Sequence, residues 1–127
     1  AETANTGGSA SAKYMTRPVI LTNDATALDI RVSANVRSTS AVKIYYRITS
    51  SEDARKLGDV AWTGFNSDGT PDSTVPPAID NTTFKEHKFS ASTLPEFTAF
   101  QLKVVLTGTN SSYPPLLKDM RGIALAL

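Results

Sequence analysis

The chain has 127 residues, with 13 basic and 12 acidic side chains mixed along it, a formal charge of +1 and no cysteine. This balance leaves no basic block for a nucleic-acid backbone, and the missing thiols exclude disulfides, thiol catalysis and thiolate metal centres. No apolar run approaches the roughly 20 residues a helix needs to cross a bilayer, so neither nucleic acid nor a membrane is expected as a partner.

In chain order, residues 1–12 (AETANTGGSASA) are small and polar, the composition of a flexible tail or tether. Residues 13–127 are expected to form one domain. Lys13–Leu21 reads as a first strand; Pro18, which has no N–H, makes it an edge strand or interrupts it. Asn23-Asp24 is expected to turn the chain. Leu28, Ile30, Val32, Ala34 and Val36 then alternate with polar residues, and after Arg37–Ser40 so do Val42, Ile44, Tyr46 and Ile48. Two such strands around a short polar link predict an antiparallel hairpin. Tyr45 and Tyr46, adjacent in a strand, must face opposite sides.

Ser50–Leu57 is the one helix-like stretch, long enough for one or two turns. Asn66–Thr83 is a turn-rich loop with Asp68-Gly69 as its sharpest turn signal. Phe84–Ser90 reads as a strand and Leu94-Pro95-Glu96 as a turn. Phe97–Thr107 is a strand with Phe100, Leu102, Val104 and Leu106 on the one face turned to a core. After the break TGTNSSYPP, a last apolar run pairs with it around that loop and is expected to bulge or change sheet near Asp119–Gly122. Gly122 itself stands where a bulkier strand residue is expected. Seven or eight short strands with almost no helix predict an all-β fold, an antiparallel β-sandwich that is jelly-roll-like.

No catalytic constellation is legible. His87 is the single histidine, flanked by Glu86 and Lys88, and is expected on a solvated strand; no serine lies in a nucleophile elbow. Asn66, Asp68 and Asp72 could offer oxygens to calcium, but their spacing departs from the EF-hand loop and fits turn chemistry. No catalytic residue, metal or cofactor is therefore expected. The sequons at Asn81 and Asn110 matter only in a eukaryotic secretory protein. Trp62, Phe65 and Tyr113 lie in or beside loops. Either they close the ends of the core, or they stack on a sugar ring or anchor a protein partner.

With the strands placed, the motif order KYMTRPVIL, ATALDIRVSANV, VKIYYRI, FNSDGTPD, FKEHKFS and LPEFTAFQLKVVLTGTNSSYPPLLKDMRGIAL resembles virion structural protein domains of T4-like tailed phages, particularly those infecting marine cyanobacteria. The likeness runs from Lys13 to the C-terminus. Its most specific pieces are the run FTAFQLKVVL ending in TGTNSSYPP and the following LKDMRGIAL. Such domains look like galactose-binding-type jelly rolls. The resemblance implies a non-enzymatic module of a tail, baseplate or fibre apparatus, in contact with other virion proteins and repeated as a homo-oligomer in the assembly. It carries over no sugar-binding residue. A module that recognises a host-surface glycan, with Trp62, Phe65 and the Asn66–Thr83 loop as anchors, is the alternative.

Overall fold

A computed structural model describes residues 12–36, 40–50, 54–73, 75–80, 83–108 and 116–125. The expected N-terminal tail therefore lies, up to residue 11, outside the described residues. Eight strands follow in order: β1 (Ala12–Met15), β2 (Val19–Ala25), β3 (Ala27–Asn35), β4 (Ser40–Thr49), β5 (Thr63–Gly64), β6 (Lys85–Ala91), β7 (Phe97–Gly108) and β8 (Leu116–Leu125). All pairings are antiparallel. In the five-stranded sheet β1 and β2 lie in line along one side of β7, with β4 and then β5 on its other side; the three-stranded sheet has the order β6-β3-β8. β1 and β2 are thus one edge strand broken at Thr16–Pro18, where the proline has no N–H to give the ladder.

The two sheets close over Leu28, Ile30 and Val32 of β3, Ile44 and Tyr46 of β4, Phe89 of β6 and Phe100, Leu102 and Val104 of β7. Each occupies the alternate position that strand geometry turns inward. Burying one such side chain contributes about 1.5–3 kcal/mol over leaving it exposed. Tyr46 lies in this core and Tyr45 on the outer side.

The strand partners differ from the expected ones. β3 and β4 form no hairpin, because they belong to opposite sheets, and the same is true of β7 and β8. Among the described strands only β4 and β5, bridged by a 3-10 turn at Ala54–Asp59, are consecutive in different-direction ladders of one sheet with a chain reversal between them. Alternation sets which face meets the core and is silent about which strand lies alongside. The reversal expected at Asn23-Asp24 comes later, at Thr26; Asn23 and Asp24 sit in a bulged end of β2, where the register shifts between Ile20 and Ala25.

β7 also departs from the one-faced strand that was expected: Gln101, Lys103 and Val105 are buried as well. In β8 the bulge falls at Lys118, since Asp119 pairs with Ser33 and Leu117 with Ala34, and the strand stays in one sheet. Gly122 lies opposite Ile30, and a Cβ there would sit 2.7 Å from Ile30 Cδ1. The small residue is what lets Ile30 fill the core.

Candidate functional site

The outward positions of the five-stranded sheet form rows across the strands. Lys13, Val105 and Lys43 make one row; Met15, Lys103 and Tyr45 make the next; Gln101 and Arg47 continue it. Thr63 pairs with Tyr46, so Trp62, one residue earlier, is carried alongside Arg47. Side chains in such rows stand about 4.5–5.5 Å apart at Cβ and interact directly. The Arg47 guanidinium carbon lies 4.2 Å from the Trp62 ring centroid, and Lys103 Nζ lies 5.1 Å from Trp62 and 5.0 Å from Tyr45. Both cations therefore face the electron-rich side of aromatic rings.

This arrangement is anchored from beneath. Arg47 Nε and Nη2 donate to Gln101 Oε1 at 2.9 and 2.6 Å. Gln101 Nε2 donates to the Thr16 carbonyl at 2.8 Å, and the Leu102 N–H donates to Thr16 Oγ1 at 3.1 Å. Thr16 occupies the break that Pro18 imposes between β1 and β2, so the interruption is where the outer layer is tied to β7. The layer is preset: an indole and a phenol ring, a guanidinium, an ammonium and an amide on a rigid sheet.

Of the three side chains singled out from sequence, the structure brings only Trp62 to this face, where it is half-buried. Phe65 is fully buried, its ring centroid 4.9 Å from Tyr46 and 6.0 Å from Phe89, and belongs to the core. Tyr113 lies outside the described residues. Tyr45, Arg47, Gln101 and Lys103 were not singled out. Their signal was present as the polar half of two alternating strands, which is ordinarily dismissed as a solvated face.

Between β4 and β6 a slot of about 450 Å³ is lined by Val42, Lys43, Thr70, Asp72, Val75 and His87, among others. His87 is only 4% exposed, which corrects its placement on a solvated surface: it falls on the inward side of β6 with Phe89. Its Nδ1 is 3.0 Å from the Lys85 carbonyl oxygen, so that nitrogen carries the proton and donates. Burial pushes the His87 pKa below the ordinary 6.5, against the opposing pull of hydrogen bonds to the Lys85 and Val32 backbone. The unfolded chain then takes up a proton that the native chain resists, so the stability is present above pH 6.5 and is lost as pH falls below it. Urea midpoints between pH 7 and pH 5 are expected to fall more steeply for the parent chain than for His87→Gln; equal slopes would show that the imidazole is not the group responsible.

The loop beyond Trp62 is stapled by its own acids. Asp68 Oδ1 accepts from the Thr70 hydroxyl at 2.6 Å and from the Thr70 N–H at 3.2 Å, and these bonds hold its carboxyl below the usual range. Partial burial pushes the Asp72 carboxyl up, yet hydrogen bonds from Asn66 and Ser90 outweigh it and leave it lowered. Asp72 Oδ2 takes the Ser90 hydroxyl at 2.6 Å, tying the loop to β6. Asn35, fully buried, donates through Nδ2 to the Asp80 and Thr83 carbonyls at 2.8 and 2.7 Å. It was not picked out in the sequence either.

The outer face of the three-stranded sheet has another character. Arg31 pairs with the half-buried Asp29 and with Glu86 at 3.4 Å each, and Arg121 with Glu86 at 3.2 Å, the arginines and Glu86 being exposed. Such pairs contribute little, about 0–1 kcal/mol each. Met15, Val19 and Ile20 on β1 and β2, and Ile123 and Leu125 on β8, are exposed apolar side chains at the sheet ends remote from β5 and β6.

No family model matches the chain, and no curated protein matches it in sequence. Solved structures do match in shape. The enzymatically active domain of tailspike protein 4 of bacteriophage CBA120 aligns with 94% of this chain at a TM-score of 0.52 and 10% identity; the chain spans 14% of that protein. The xylan-binding CBM22-1 domain of Paenibacillus barcinonensis Xyn10C aligns with 86% of the chain at a TM-score of 0.44 and 11% identity, the chain covering 60% of it. The C-terminal domain of the sugar-binding protein EclA gives 92%, 0.46 and 7%, with 69% of that chain covered. At these identities the likeness is one of fold, carried by the tailspike domain: the chain is an antiparallel β-sandwich of jelly-roll type, an architecture it shares with part of a phage tailspike protein.

Proposed function

We propose that this chain is a non-enzymatic binding module of a tailed-phage particle, and that it holds a host-surface glycan on the outer face of its five-stranded sheet. The observation that carries the glycan reading is the preset group of Trp62, Tyr45 and Arg47 on the outer face, held in place by the buried Gln101 and Lys103 beneath them. A sugar offers C–H faces that pack on aromatic rings and hydroxyls that need fixed donors and acceptors, and a rigid sheet supplies both without ordering a loop on binding. The phage setting is supported by the motif likeness from Lys13 onward. Within a particle, the exposed apolar side chains of β1, β2 and β8 are the natural places for contact with neighbouring subunits.

A glycan array probed with the 127-residue chain tests this. Retention of one glycan class is expected, with Trp62→Ala weakening it by about two orders of magnitude, as for a central aromatic anchor. An array without a hit, or a hit that Trp62→Ala leaves unchanged, refutes the reading.

A further inference from the structure

Gln101 and Lys103 stand on the outward side of β7, opposite Arg47 and Tyr45 of β4, yet they are only 8% and 9% exposed. Such side chains on an outward strand face are ordinarily left in water, so other groups lie over them. Trp62 and Tyr45, whose rings lie 5.1 and 5.0 Å from Lys103 Nζ, form part of that cover. The indole rests against the Arg47 guanidinium at 4.2 Å, and its uncovered side is where a sugar can pack. The backbone alone holds Trp62 weakly, since it precedes a strand of two residues. Its attitude therefore depends on how Arg47 is held, because a planar guanidinium stacks on a ring only in the right orientation.

Resting on the glycan reading above, the geometry points to Thr16 and Gln101 as positioning residues of this face, which set the Trp62 platform through Arg47 without touching the ligand. The Gln101 amide is used at both ends. Its Oε1 accepts from Arg47 Nε and Nη2 at 2.9 and 2.6 Å, gripping one edge of the guanidinium, and its Nε2 donates to the Thr16 carbonyl at 2.8 Å. Turning the amide over would set donor against donor at Arg47 and oxygen against oxygen at Thr16, so the two partners fix a single orientation. The Thr16 carbonyl is open to Gln101 because of the Thr16 hydroxyl. The Thr16 N–H donates to the Leu102 carbonyl at 2.9 Å, as in a regular rung. The returning bond of such a rung would run from the Leu102 N–H to the Thr16 carbonyl. Here the Leu102 N–H takes Thr16 Oγ1 instead, at 3.1 Å, and the carbonyl is released to the side chain of Gln101. One hydroxyl at the broken edge thus decides whether the amide, the guanidinium and the indole stand in line.

Trp62 is the single tryptophan, so its fluorescence reports this face directly. Thr16→Val keeps the shape and removes the hydroxyl, which returns the carbonyl to Leu102 and leaves Gln101 without its anchor. In the 127-residue chain it is expected to shift the Trp62 emission to longer wavelength and to raise quenching by acrylamide, with a cooperative urea transition retained. Retention on the glycan array is expected to fall by about tenfold, the loss of a hydrogen bond acting on a charged group. Gln101→Met should do the same, and Thr16→Ser, which restores the hydroxyl, should match the parent in both measurements. Unchanged emission and retention in Thr16→Val and Gln101→Met overturns the inference, and a Thr16→Ser variant that behaves like Thr16→Val overturns the part given to the hydroxyl. A glycan whose retention needs Trp62 but is indifferent to Thr16→Val and Gln101→Met leaves the glycan reading standing and removes the positioning. An emission shift in both variants with no glycan retained by the parent chain removes the glycan reading and leaves Thr16 and Gln101 as the groups that set Trp62.

Discussion

Phe65→Ala is expected to lower the unfolding free energy by about 3–5 kcal/mol, the range for emptying a buried aromatic site. The ring is fully buried and bridges the two sheets, touching Tyr46 of β4 on one side and Phe89 of β6 on the other. It also arrives from a turn, since the Phe65 N–H donates to the Ile44 carbonyl at 3.2 Å and its carbonyl accepts from Gly69 at 2.7 Å. The neighbourhood is held by backbone bonds and cannot collapse easily into the vacated volume, which places the cost toward the upper end of the range. Domains of this size are stable by about 5–15 kcal/mol, so the variant approaches the folding threshold. Urea denaturation reads the effect directly. Trp62→Ala, three residues earlier but on the outer face, should cost clearly less stability while losing the ligand. An unchanged midpoint for Phe65→Ala would mean that the ring does not bridge the sheets.

Gly64→Ala is expected to destabilise by about 3 kcal/mol, at the upper end for forced overpacking. A Cβ at residue 64 would lie 2.6 Å from the Gly69 nitrogen and 2.9 Å from the Asp68 carbonyl carbon, both backbone atoms. Neither can move without opening the turn. That turn is already tight: Asn66 and Ser67 take positive φ values of 54° and 74°, and Gly69 takes 90°. Gly64 lies between Trp62 on the surface and Phe65 in the core, so the same substitution should weaken glycan retention as well. Gly58→Ala is the control, because a Cβ there meets nothing within 4 Å. It should be neutral or stabilise by up to about 1 kcal/mol through the unfolded chain. If both variants unfold alike, close approach of the turn is not what selects glycine at residue 64.

Strand positions and their inward faces were legible because alternation is a local property: Leu28 to Ala34 on β3 and Val42 to Ile48 on β4 point where their spacing requires. Pairing was not legible. The link from Asn35 to Ser40 suits a hairpin in length and composition, yet it crosses between sheets, and only long-range packing decides that. His87 was misjudged, and Phe65 was left open between core and ligand, for related reasons. A polar residue on an alternating strand reads as solvated, and an aromatic beside a loop reads as available, until the opposing sheet is in place. The outer layer was hidden differently, since Arg47 and Gln101 are 54 positions apart in the chain and become neighbours only through the β4–β7 register.

The course of the strands has a mechanical consequence. The chain enters β1 at the level of Leu106 and, after the corner at Thr26, ends β8 opposite Ala27, so the first and last described strands open at opposite poles of the sandwich. Tension applied between those poles runs parallel to the strands, and it loads the rungs of the β1–β7 and β3–β8 ladders together, in shear, where peeling would break them one after another. Force along that axis is thus shared by many rungs at once, with the broad aromatic face left clear of its line.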